Sequence, residues 1–112
     1  MSALTAAGWA FASPAWATPD DILNRYYDLK RSDGAAATTY LADMVGQHGD
    51  DVRIRLELGY DLLAQDRADE ALAQFEAAVS IDPAHVQTWK QIGYVRINLG
   101  RDADALAAFE RV

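Results

Sequence analysis

The sequence predicts an all-α fold, a solenoid of about three antiparallel helix pairs. When the chain is aligned with itself so that Val52 falls on Val86, nine of the 27 pairs between Val52 and Val112 are identical. Within each repeat, apolar residues recur every three or four positions, which is the spacing of one buried helical face. Turn residues divide each repeat into two segments of helical length. These observations together favour stacked helical hairpins.

The composition agrees with one small folded domain and excludes several classes of protein. The chain has 112 residues, of which 51% are hydrophobic, too many for a disordered segment. Its formal net charge of -7 disfavours binding to nucleic acid or to an anionic membrane. Because the chain has no cysteine, disulfides, thiolate metal sites and cysteine nucleophiles are excluded.

The middle repeat, residues 52–85, is predicted to contain two helices joined by a turn at residues 65–67. Pro83 ends the second helix, because proline has no amide hydrogen and disfavours helical geometry in the preceding residue. The last repeat, residues 86–112, follows the same plan with a turn at residues 100–102, and its second helix is expected to run from Ala103 to Val112. The apolar stripe of the middle repeat consists of Val52, Leu56, Gly59, Leu62 and Leu63, then Ala68, Ala71, Leu72, Phe75, Ala78 and Val79.

Small and aromatic residues predict how these helices pack. Gly59 is expected to face Ala71 across the hairpin, so that the two antiparallel helices approach closely. The same arrangement is expected in the last repeat. Phe75 and its repeat counterpart Phe109 are expected to fill the space between adjacent layers.

These residues resemble the tetratricopeptide repeat, a pattern of about 34 residues with an early Trp, then Leu-Gly, Ala, Phe, Ala and a closing Pro. The middle repeat departs from the pattern at the tryptophan position, where it has Arg55. The residues that form the structural signature in this chain are Gly59, Ala71, Phe75, Ala78, Pro83, Trp89, Gly93, Ala105 and Phe109.

A divergent first repeat or cap is predicted over residues 18–51. Thr18 and Asp21 resemble a capping box, and Pro19 stands where a first helical turn tolerates proline. When the repeat register is extended upstream, Tyr26 is the counterpart of Tyr60, and Arg25 occupies the glycine position. This pair of helices is therefore expected to pack less closely than the later pairs.

The resemblance implies that the first helix of each pair lines a concave groove where a protein or peptide partner binds. Tyr26, Tyr60 and Tyr94 are expected to form a ladder along it, with simple packing between helices as the alternative. The residues that the resemblance places in the groove are Arg53, Leu56, Glu57, Tyr60, Gln87, Lys90, Gln91, Tyr94 and Asn98.

Some members of the family hold a peptide's C-terminal carboxylate with a set of Lys, Asn and Arg side chains. This chain has Leu56 and Tyr60 where that clamp needs Lys and Asn, so binding of a chaperone tail is not expected. Arg53, Lys90 and Arg96 are expected to leave positive potential near the groove, while the acidic residues of the outer helices form a solvated face.

Residues 1–17 are predicted to be a signal peptide, with a disordered apolar tail as the alternative. They contain no charged residue, and the small residues Ala15 and Ala17 fit a signal-peptidase site that would cleave after Ala17. No basic residue precedes the apolar stretch. The expected location is periplasmic or secreted, with the cytoplasm as the alternative.

No catalytic group, cofactor, metal or small-molecule substrate is predicted. The two histidines, His48 and His85, lie at turns between helices, and loop histidines of this kind more often cap helices than bind metal. Phosphate-binding and hydrolase motifs are absent from the sequence.

The chain is therefore expected to be a protein-binding scaffold of the bacterial cell envelope rather than an enzyme. One alternative is a structural N-terminal piece, or a self-associating piece, of a larger envelope assembly for outer-membrane biogenesis or polysaccharide export. Self-association is expected through the C-terminal end, where Ala105, Leu106 and Phe109 have no covering helix. A small enzyme using one of the histidines is a distant third.

Overall fold

The computed structural model describes residues 17–112, and these residues form six α-helices and no strand. The predicted all-α architecture of three successive helical hairpins is confirmed. The proposed signal peptide, residues 1–17, lies outside the described residues except for Ala17. In chain order the helices are α1 (Pro19–Ser32), α2 (Gly34–Gln47), α3 (Val52–Ala64), α4 (Ala68–Ile81), α5 (Val86–Asn98) and α6 (Asp102–Phe109).

The chain forms two compact units, one up to Gly49 and one over Asp50–Val112. In the first unit α1 packs against α2. In the second, α3 packs against α4, α4 against α5, and α5 against α6. No helix in the described part of the chain is both long and apolar enough to cross a membrane.

The first unit begins with the predicted capping box. The Asp21 backbone N–H donates to Oγ1 of Thr18 (3.2 Å), and the Thr18 backbone N–H donates to Oδ2 of Asp21 (2.9 Å). Asp33 alone connects the two helices: its N–H donates to the Leu29 carbonyl (2.7 Å), and its side chain accepts from the N–H of Ala36 (3.1 Å). One residue therefore ends α1 and caps α2.

The short connection gives the two helices of this unit different registers relative to the later repeats. The buried residues of α1 include Ile22 and Tyr26, and those of α3 include Ile54 and Leu58. These two pairs match only when the alignment of α1 with α3 is shifted by two positions from the repeat register. One residue separates α1 from α2, whereas three separate α3 from α4, which accounts for the shift of two. In α2 the repeat register is kept, because Ala37, Thr38, Leu41, Met44 and Val45 are buried like Ala71, Leu72, Phe75, Ala78 and Val79.

The prediction that Tyr26 is the counterpart of Tyr60 is therefore wrong. Tyr26 is 0% exposed, and Nζ of Lys30 lies 5.6 Å from the centroid of its ring. By the burial pattern Tyr26 takes the place of a core leucine, and the exposed Tyr27, not Arg25, takes the place of the glycine. The tyrosine ladder is thus limited to the second unit.

Turns of the same conformation join the two helices in both later hairpins. After α3, Asp66 has a left-handed backbone (φ 65°), and the N–H of Arg67 donates to the Leu62 carbonyl (2.9 Å). After α5, Gly100 has the same conformation (φ 76°), and the next N–H again reaches back five residues. This is the Schellman arrangement, which satisfies the last carbonyls of a helix and favours glycine at the left-handed position.

A phenylalanine ring occupies the space that the glycine of each later hairpin leaves open. A Cβ atom at Gly59 would lie only 2.6 Å from Cε1 of Phe75, and one at Gly93 would overlap the ring of Phe109. The atoms nearest to the open side of Gly59 thus belong to Phe75, whereas the sequence predicted Ala71 as the facing residue. Phe75 therefore packs within its own hairpin rather than only between layers.

The last helix is shorter than predicted. α6 ends at Phe109, and Val112 lies beyond it. The reason is local: the N–H groups of Arg111 and Val112 donate to carbonyls three residues back, each at 3.1 Å, so a tighter turn replaces the α-helical pattern.

Replacing Asp66 with glycine should stabilise the protein. Left-handed geometry costs most L-residues about 1–2 kcal/mol, and glycine's greater freedom when unfolded offsets part of this, so we expect a gain of roughly 0.5–1 kcal/mol. Gly100→Ala, at the equivalent turn, should lose about 1 kcal/mol. Urea unfolding followed by circular dichroism measures both. A loss of stability in Asp66→Gly would contradict the account of this turn.

Candidate partner-binding surface

The candidate groove consists of the nine predicted side chains on the first helices of the two later hairpins. Of these, Leu56, Glu57, Lys90 and Gln91 are half-buried. The other five are exposed: Arg53, Tyr60, Gln87, Tyr94 and Asn98. None of the nine is buried in the core, so all of them are accessible in part to a partner. Ile97, also on α5, is half exposed but lines a different surface, a shallow hollow with Ala105, Leu106 and Phe109 of the last hairpin.

The two groove tyrosines have the same surroundings. The ring of Tyr60 meets the ring of Phe75 edge to face (centroids 5.3 Å apart, 64°), and that of Tyr94 meets Phe109 in the same way (5.3 Å, 66°). Tyr60 is 38% exposed and Tyr94 is 59% exposed. Each ring therefore packs against a phenylalanine of its own hairpin and is still partly exposed to solvent, so packing and accessibility coexist at these positions.

Burial raises the pKa of the Tyr60 hydroxyl above its ordinary value of 10.0, and the nearby Glu57 carboxylate raises it further. Both causes oppose a negative charge on the phenol. At neutral pH the hydroxyl of Tyr60 is thus a neutral group that can donate or accept a hydrogen bond.

Most cations of the second unit are already engaged. The Arg53 guanidinium lies 3.8 Å from Asp51, and Arg96 donates to Glu76 (2.9 Å) and to the backbone carbonyl of Asp104 (3.1 Å). Arg96 therefore ties α5 to its two neighbouring helices instead of adding charge to the groove, contrary to the sequence-based expectation. Lys90, a half-buried residue, makes no ion pair or hydrogen bond within residues 17–112, which leaves its ammonium available to a partner.

In the second unit most acidic residues lie on or next to the second helix of each hairpin, as the sequence indicates. Three of them pair with arginines: Glu70 with Arg67, Glu76 with Arg96, and Asp69 with Arg101 (3.4 Å). The exposed carboxylates of this face are Asp66, Asp69, Glu70, Glu76, Asp102 and Asp104. The candidate groove, by contrast, contains only Glu57 as an acid, against two bases.

Trp89 and His85 form side-chain hydrogen bonds near the start of α5. The Trp89 indole donates from Nε1 to the Pro83 carbonyl (2.8 Å), and the guanidinium of Arg111 lies 5.0 Å from its ring centroid. Nδ1 of His85 lies 2.6 Å from Oγ1 of Thr88. Within the described residues, no three His, Cys, Asp or Glu side chains come together in a group that could bind a metal.

Known proteins with related sequences and folds are tetratricopeptide-repeat proteins. Residues 62–112 match the family model described as tetratricopeptide repeat. The chain is 32% identical over 88 residues to the tetratricopeptide repeat domain-containing protein PYG7, chloroplastic, of Arabidopsis thaliana, a match that covers 75% of this chain and 29% of that protein. These matches support the assignment of residues 62–112 to a tetratricopeptide repeat.

Solved structures agree on the fold. A mutant of MamA superposes with a TM-score of 0.71 at 21% identity, covering 84% of this chain and 72% of that one. The second tetratricopeptide-repeat domain of Spaghetti (RPAP3), bound to an HSP90 peptide, gives 0.68 at 18% identity, covering 79% and 82%. In a crystal structure of MamA with a TM-score of 0.68 at 19% identity, the match covers 75% of this chain and 49% of that one. The chain thus spans 29% of PYG7 and about half of that MamA chain.

Proposed function

We propose that the chain is a non-enzymatic scaffold that binds an extended segment of a partner protein in the candidate groove. The observation that carries the proposal is the pair of equivalent, partly exposed tyrosines, each in contact with the phenylalanine of its own hairpin. Because their rings are already ordered, little side-chain entropy is lost when a partner covers them. Tyrosine also combines a wide apolar surface with a polar hydroxyl, which suits it to protein contacts.

The chemistry of the groove favours a partner segment with apolar or aromatic side chains and one carboxylate. Tyr60, Tyr94 and half-buried Leu56 offer apolar surface, while Lys90 offers a cation without a partner of its own within the described residues. The attraction between this ammonium and a carboxylate of the partner would strengthen as the bound segment displaces water from around the pair.

The RPAP3 domain offers a useful contrast. It is solved with the HSP90 peptide SRMEEVD bound, so this fold can hold a short peptide. Our chain has Leu56 and Tyr60 where the carboxylate clamp of the family needs Lys and Asn. We therefore expect the partner carboxylate to be a side chain rather than a chain terminus.

The probes are peptides that are selected from a displayed random library for binding to the 112-residue chain. Substitution of the groove tyrosines should weaken the binding of these peptides. We expect Tyr60→Ala and Tyr94→Ala each to reduce affinity roughly tenfold or more, because buried aromatic anchors carry much of the binding energy. Lys90→Gln should weaken binding to acidic peptides and reduce its salt dependence. Fluorescence anisotropy measures the affinities.

Tyr27→Ala is the matched control, because it removes an exposed tyrosine that lies on α1, outside the candidate groove. It should leave affinity unchanged, and circular dichroism should show native helicity for every variant. Selected peptides that bind the Tyr60→Ala, Tyr94→Ala double variant as tightly as the parent would contradict the proposal.

We further propose that the protein acts in the bacterial cell envelope after export. The support is the uncharged stretch of residues 1–17 and the small residues before Thr18. When the chain is expressed in a bacterium with two membranes, mass spectrometry of the periplasmic fraction should find an N-terminus at Thr18. Ala17→Arg should block this cleavage. An intact Met1 in the cytoplasmic fraction would contradict export.

A further inference from the structure

One helical turn before each groove tyrosine stands a charged residue, and the two charges are of opposite sign. Glu57 precedes Tyr60 by three residues on α3, and Lys90 precedes Tyr94 by four residues on α5. Residues at these spacings are neighbours on the surface of a helix. A partner segment that covers both tyrosines therefore meets a negative charge beside the first and a positive charge beside the second.

The two charges do not follow from the repeat. In the repeat register the counterpart of Glu57 is the neutral Gln91, and the counterpart of Lys90 is the apolar Leu56. The tyrosines, by contrast, are the same in both hairpins. The candidate groove thus consists of equivalent aromatic positions whose surroundings differ in charge from one hairpin to the next.

Neither charge is neutralised by an ion pair within the described part of the chain. Glu57 and Lys90 are half-buried residues, and they make no ion pair within residues 17–112. The third charged residue of the candidate groove, Arg53, lies 3.8 Å from Asp51. One anion and one cation of the groove are therefore left for a partner to pair with.

The charge of Glu57 acts at the tyrosine itself. Besides burial, the Glu57 carboxylate raises the pKa of the Tyr60 hydroxyl above 10.0, which requires the two groups to lie close together. A basic side chain that packs its aliphatic stem on the ring of Tyr60 would place its charged end within reach of this carboxylate.

The pair of charges discriminates between partner segments. A segment with acidic residues alone would bring a like charge to Glu57, and one with basic residues alone would do so at Lys90. A neutral segment would cover both charges without pairing them, which costs free energy. A segment with one base and one acid in the right order meets both charges with the opposite sign.

We infer that the candidate groove selects an extended partner segment by the order of its charges. The segment has Lys or Arg beside Tyr60 and Asp or Glu beside Tyr94, and its apolar residues lie against the two rings. This selection rests on the proposed function, since it concerns the same groove. It also fixes the direction of the segment, because reversal would place each of its charges against a like charge.

A charge-exchanged chain, Glu57→Lys with Lys90→Glu, tests the selection. It keeps the net charge of -7 and both groove tyrosines. Because Glu and Lys have similar helix propensities, circular dichroism should show native helicity. The first probe is the most enriched peptide from a displayed random library selected on the parent chain, and it should contain a base and an acid. The second probe has Glu for each Lys or Arg of the first, and Lys for each Asp or Glu.

In fluorescence anisotropy the parent chain should bind the first probe roughly four- to twentyfold more tightly than the second, since each partly exposed ion pair contributes about two- to fivefold. The charge-exchanged chain should show the opposite preference. Asp28→Lys with Arg31→Glu is the matched control, because it exchanges an exposed ion pair on α1, outside the candidate groove. It should keep the preference of the parent.

Two results would overturn the selection by charge order: a most enriched peptide without both charges, or a preference that the charge exchange does not invert. If the first probe still loses affinity for the Tyr60→Ala, Tyr94→Ala double variant in either case, the proposed function of the groove stands and only its discrimination by charge fails. If that affinity is also independent of the tyrosines, both proposals fail.

Discussion

The contact between a phenylalanine ring and a glycine backbone is the constraint on which each later hairpin depends. Phe75 is in the core, and its ring lies where any side chain at position 59 would have to go. The pairing sets how closely α3 approaches α4, and it also holds the edge of Tyr60. A packing requirement inside the hairpin thereby fixes the position of a side chain on its surface.

The first unit shows what happens without this pair. Leu41 takes the place of the phenylalanine and is fully buried, while the burial pattern places Tyr27 where the glycine would be. Leucine has no flat ring to lie against a backbone, so glycine is not needed opposite it. Glycine and phenylalanine thus occur together in two hairpins and are both missing from the third, as expected if each requires the other.

The sequence was sufficient for the fold class and for the later repeats, because identities such as Gly59 with Gly93 establish the register directly. It was insufficient for the first helix, since the burial of Tyr26 depends on the length of the connection at Asp33 and not on local apolar spacing. The contacts of Arg96 were equally hidden, because periodicity indicates a face of a helix but not which carboxylate a long side chain reaches. For the candidate groove, the sequence predicted nine side chains, and all nine are at least partly accessible.

Ion pairs between the hairpins of the second unit use part of its positive charge. Arg96 pairs with Glu76 and Arg101 with Asp69, so two arginines stabilise the packing of the helices instead of adding charge to the candidate groove. Lys90 in the candidate groove is not part of these pairs.

A double-mutant cycle on Gly59→Ala and Phe75→Leu tests the central contact most directly, with unfolding free energy as the measurement. Gly59→Ala alone should cost about 1–2 kcal/mol, since overpacking outweighs the better helix propensity of alanine. In the Phe75→Leu background the same change should be neutral or stabilising, giving a coupling of at least about 1 kcal/mol. Additive effects, within about 0.5 kcal/mol, would show that the ring does not require the glycine and would contradict the account.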